Sequence, residues 1–79
     1  MKTDDVKVIL KMLDKHGNVE IKGDLTYIMD FTNDLTHDSS ASWDVPAGMD
    51  VLVLMWNEDK RSRTVYIDTA CITSIMVIK

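Results

Sequence analysis

The sequence predicts a small all-β domain, five short strands closing into a strongly bent barrel, with a short N-terminal helix as an added possibility. Three observations predict it. Apolar residues come in short runs, such as "DVLVLMW" at 50–56 and "ITSIMVIK" at 72–79. The runs are rich in β-branched and aromatic residues, which suit a pleated, half-buried surface. Brief polar or charged links separate them, the pattern of a small barrel or sandwich.

The length of 79 residues bounds the chain to a single domain, 1–79. So short a chain buries a small share of its surface and is marginally stable. Small scaffolds usually add a disulfide, a metal or oligomerisation. Cys71 is the sole cysteine, so no intrachain disulfide can form. No Cys/His cluster has zinc-ligand spacing. Self-association is the reinforcement that remains, with a well-packed monomer as the plain alternative.

Composition narrows the function classes. Apolar residues make up 46% and charged residues 28%, as in an ordinary globular protein. The first apolar run is short and laced with lysine, unlike a signal peptide. No stretch approaches the roughly 20 apolar residues of a membrane span, so no membrane partner is expected. One unpaired cysteine and no secretion signal fit the cytoplasm. The net charge of −4 argues against broad, sequence-blind binding of nucleic acid but leaves room for a local basic patch.

The elements follow in order. Residues 6–13, "VKVILKML", fit two periods. A helix would put Val6, Ile9, Leu10 and Leu13 on one face, with Thr3 as N-cap and Asp4 and Asp5 in the first turn. A strand would line up Val6, Val8, Leu10 and Met12. Three β-branched residues among the first four make the strand the preferred reading. "DKHGN" then reads as a hairpin connection. Residues 18–31 read as one long strand that Gly23 interrupts with a bulge or bend. Residues 32–48 read as a long loop closed by Pro46 and Gly48. Trp43 lies within it, either displayed as a contact surface or folded back over a barrel end. Residues 50–56 form a strand apolar on both faces. "NEDKRSR" is a charged hairpin tip, residues 64–67 the return strand, "DTAC" a tight link, and residues 72–78 the last strand.

That last strand is also apolar on both faces. It must be central in a sheet, or an edge covered by another chain. Proteins normally blunt an unpaired apolar edge with charge or proline, and here Lys79 is the one blunting residue. Pairing of edges between subunits, closing a ring, would satisfy the strand.

The residues around it carry a resemblance. "IDTACITSI" places Ile67, Ile72 and Ile75 at the isoleucine spacing of the second motif of the Sm-like family, Ile-Arg-Gly-Asp-Asn-Ile-x-x-Ile. "VYIDTACITSI" also looks like the Hfq version of that segment. Gly17, Gly23 and Leu25 match the first motif, and Asn33 stands eight residues after Leu25, followed by Asp34 and Leu35. The chain thus resembles the Sm-like (LSm and Hfq) family over residues 6–35 and 50–78. The resemblance implies a five-stranded, SH3-like bent barrel and a cyclic homo-oligomer of about five to seven subunits. It implies joining through Val65, Ile67, Ile72, Ile75 and Val77. It also implies single-stranded RNA as a partner, with Phe31 at the base-stacking position and Asn33 at the base-reading one. Where the family carries basic residues in the second motif, this chain has Asp68 and Thr69, or Thr69 and Ala70. The residues after Asn33 stand as an insertion.

Lys60, Arg61 and Arg63 are the clustered basic residues. Repeated around a ring they would form a cationic rim able to track a backbone; alone they are a solvated turn partly neutralised by Glu58 and Asp59. His16 and His37 lack ligand-spaced partners, and Asp30, Asp34 and Asp38 do not follow the calcium-loop pattern, so no metal site is expected. Cys71 in an apolar β context is expected to be inert core. No phosphate loop, nucleophile elbow or zinc-hydrolase motif is present. No enzymatic activity, catalytic residue or cofactor is expected. Two functions follow: a ring protein with RNA as ligand, or a protein-interaction module displaying the Trp43 loop.

Overall fold

The structure is a computed structural model and describes residues 1–32 and 41–78. Among the described residues, one short helix, α1 (Thr3–Met12), precedes six strands: β1 (Val19–Lys22), β2 (Thr26–Met29), β3 (Ala41–Asp44), β4 (Val51–Glu58), β5 (Arg61–Asp68) and β6 (Ser74–Val77). A 3-10 turn, Thr69–Cys71, links β5 to β6. The strands form two antiparallel sheets among the described residues, ordered β2-β1-β6 and β3-β4-β5. The fold is therefore mainly β, as expected. No helix among the described residues is long and apolar enough to cross a membrane.

The preferred strand at residues 6–13 is corrected to a helix. Val6 and Leu10, four apart, share a face and are buried, while Val8 and Met12 point to solvent. Local β propensity is weak against the burial of one helical stripe. Asp4 and Asp5 sit in the first turn, where the helix dipole favours carboxylates. Thr3 does not cap. Its hydroxyl donates to Asp50 Oδ1 at 2.6 Å and lies 2.8 Å from the Thr69 hydroxyl.

The expected long strand over 18–31 is two strands, β1 and β2, paired with each other through a turn at residues 23–25. The amide of Gly23 donates to the Leu25 carbonyl at 2.9 Å. The expected loop over 32–48 contains β3, which pairs with β4. The charged tip is tighter than expected. Glu58 pairs with Arg61, leaving Asp59 and Lys60 as the turn, with φ of 51° and 64°. Positive φ at both central residues is the hairpin turn whose twist matches its flanking strands.

The core lies between the sheets. Val19 and Ile21 of β1, Leu52 and Leu54 of β4, Phe31 and Ile72 are buried in it, with Val6 and Leu10 of α1. The sheets meet at the β2 and β3 sides, where the Ala41 amide donates to the Asp30 carbonyl at 2.6 Å. Among the described residues, β5 pairs with β4 alone and β6 with β1 alone. Each therefore keeps one free edge.

Candidate assembly and nucleic-acid interface

The free edges are built from apolar residues on the core-facing side. Register settles which side that is. Val65 stands opposite buried Leu54, and Ile67 opposite buried Leu52. Ile75 stands opposite buried Ile21, and Val77 opposite buried Val19. Side chains opposite one another in a ladder share a face. Yet Val65, Ile67 and Ile75 remain half-buried and Val77 is 43% exposed. Ile67 and Ile75 pack against the core, and Val65 and Val77 extend its apolar side toward the two free edges.

Ile72 differs from them. It lies before β6, is 1% exposed, and belongs to the core. On the outer faces, Tyr66 of β5 is 73% exposed and Met76 of β6 is half-exposed. Sequence reading singled out neither residue. Strand alternation is the signal that could have found them, since each follows an inward-facing residue.

The expected RNA-contacting residues separate in space. Lys60, Arg61 and Arg63 are exposed at the β4–β5 tip. Arg63 Nε lies 3.6 Å from Glu58 Oε2, an exposed pair that neutralises part of its charge. Phe31, expected to stack on a base, is 1% exposed in the core. A buried ring offers no face to a base, so the structure does not bring it together with the basic tip. Asn33, Asp34, His37 and Asp38 lie outside the described residues. Trp43 sits in β3, half-buried and packed against the core. Its register partner Leu54 is buried, so the ring is turned inward rather than displayed.

A polar cluster holds α1 against the 3-10 turn. Thr69 is buried. Its amide donates to the Asp50 carbonyl at 3.2 Å, and its hydroxyl reaches the same oxygen at 3.4 Å. The Asp68 carboxylate accepts from the Ala70 amide at 2.9 Å and caps the turn. Cys71 is partly exposed rather than inert core. The Asp24 carboxylate beside it is the chief influence raising the thiol above its ordinary value, followed by burial and by Asp68. A thiol held protonated is a poor nucleophile. No group of three or more His, Cys, Asp or Glu among the described residues could hold a metal ion.

No family model, curated protein or solved structure matches this chain. The family likeness rests on the residues quoted above.

Proposed function

We propose that this chain is an Sm-like assembly module whose copies join edge to edge into a ring of about five to seven subunits. The observation that carries this reading is the pair of free edges, β5 and β6, each with core-facing apolar residues left half-covered. Two such edges on one chain make a head-to-tail contact, which closes when the rotation per subunit divides the circle. Run antiparallel, β5 of one copy and β6 of the next would oppose Val65 to Val77 and Ile67 to Ile75. Tyr66 would then meet Met76 on the outer face, a favourable sulfur–aromatic contact. The order of elements supports the barrel part of the reading. The Asp30–Ala41 hydrogen bond joins the β2 side of one sheet to the β3 side of the other, so the strands run β6-β1-β2-β3-β4-β5 with β6 and β5 at the two ends.

Native mass spectrometry or light scattering across micromolar concentrations tests assembly. The expected result is a single closed oligomer in wild type and monomer in Val77→Lys, with the fold kept. A wild-type chain that stays monomeric overturns the ring.

Single-stranded RNA is the ligand this reading implies. Lys60, Arg61 and Arg63 of successive subunits would form its cationic rim, with Asn33 as the base-reading side chain. Labelled oligo-U and oligo-A should bind more weakly as salt rises, and Arg61→Ala with Arg63→Ala should flatten that slope. Absence of binding at low salt overturns the RNA half alone.

A further inference from the structure

A cleft of about 210 Å³ opens between the β1–β2 hairpin and the end of β5; its lining shares Tyr66 and Ile67 with the proposed ring contact and adds two carboxylates that the ring does not use. Ile21, Ile67 and Ile72 supply apolar surface within it. Tyr27 and Tyr66 add two aromatic rings. Asp24 and Asp68 contribute two carboxylates, and no lysine or arginine is among the lining residues.

We propose that this cleft binds an organic monocation on an apolar stem, an alkylammonium or alkylguanidinium. Aromatic faces attract such a cation through the ring quadrupole. The apolar surface accepts its methylene stem, as it does for snorkelling lysine and arginine side chains. The two carboxylates supply the opposite charge without a competing basic side chain in the lining. The same field acts on Cys71, whose thiol keeps its proton chiefly because Asp24, and less strongly Asp68, opposes a thiolate. Phosphate is repelled here. The Lys60 tip lies at the other end of β5, roughly 23 Å away at about 3.3 Å per residue. The cleft is therefore a second site, distinct from any RNA rim.

The cation has two sources: a lysine or arginine side chain of a protein partner, or a free small amine. NMR titration of the full chain with n-butylammonium, n-butylguanidinium and neutral n-butanol tests the site. Saturable amide shifts at Tyr66, Asp68 and Cys71 are expected with both cations in the millimolar range. Asp24→Asn should weaken binding about threefold, and Tyr66→Leu about threefold while Tyr66→Phe keeps it. A glycine-flanked lysine peptide separates the sources. Tighter binding than n-butylammonium assigns the site to a protein partner, and equal binding to a free amine; both support the site. Equal response to n-butanol, no saturable shift to about 100 mM, or an unchanged affinity in Asp24→Asn overturns it. A monomer that binds n-butylammonium ends the ring and keeps this proposal.

Discussion

Gly23 lies so close to the 3-10 turn that a Cβ on it would stand 2.6 Å from the Cys71 carbonyl oxygen. The contact is backbone to backbone, so no side chain can swing aside. It ties the β1–β2 hairpin to the link between β5 and β6, and it sets one wall of the cleft. Gly23→Ala should therefore destabilise the chain by about 1–3 kcal/mol, the usual cost of overpacking. Urea unfolding reads it as a lower midpoint at unchanged slope. An unchanged midpoint would show that the turn has room the geometry denies.

Thr3 and Thr69 couple the helix to the strands through hydroxyls 2.8 Å apart. Thr69→Val should cost about 1 kcal/mol by removing a hydrogen-bonding hydroxyl at a buried position. A double-mutant cycle with Thr3→Val should give a coupling of about 0.5 kcal/mol or more. Additive losses would mean the pair contributes nothing jointly.

The Asp59–Lys60 turn places two ordinary residues in the left-handed region. Asn-Gly suits that turn better, since glycine carries no Cβ penalty there. The double substitution Asp59→Asn and Lys60→Gly should raise stability by about 1 kcal/mol. Thermal unfolding at high salt, where the altered charges are screened, checks it. A lower melting temperature would count against the turn geometry.

Cys71 offers a readout in pH. Its thiol sits above the ordinary value of 9.0, chiefly because Asp24 opposes the thiolate. The folded state thus holds this proton more tightly than the unfolded chain. The stabilising contribution is complete below the ordinary thiol value and is lost as pH rises through the raised one. Alkylation by iodoacetamide at pH 8 should be slow in the folded chain and faster in Asp24→Asn. Equal rates in the two proteins would remove Asp24 as the cause.

Much of the β architecture was legible because strand alternation needs only neighbours in sequence. The runs at 51–58 and 61–68 pair as a hairpin, as their sequence implies; that Leu52 and Leu54 turn inward came from the pairing, since the first run is apolar on both faces. The helix was harder to read. Val6 and Leu10 fit both a period of two and a period of 3.6, and only the surface they pack against decides between them. The candidate site was legible in part. Lys60, Arg61 and Arg63 read as exposed and are exposed. Phe31 read as a contact residue and is core, because which face of a strand end is covered depends on elements far along the chain.

By itself the sequence determined a small, acidic, mostly β domain without a disulfide, with a last strand too apolar to stand alone. Those properties follow from composition and local period, which are carried in the order of residues. Only the tertiary structure decided that Ile72 is core while Val77 stays open, and that Asp24, Tyr27, Tyr66 and Asp68 share one cleft. The cleft joins residues from two sheets, and their juxtaposition depends on the packing of β1–β2 against the end of β5, a long-range term that no local pattern encodes.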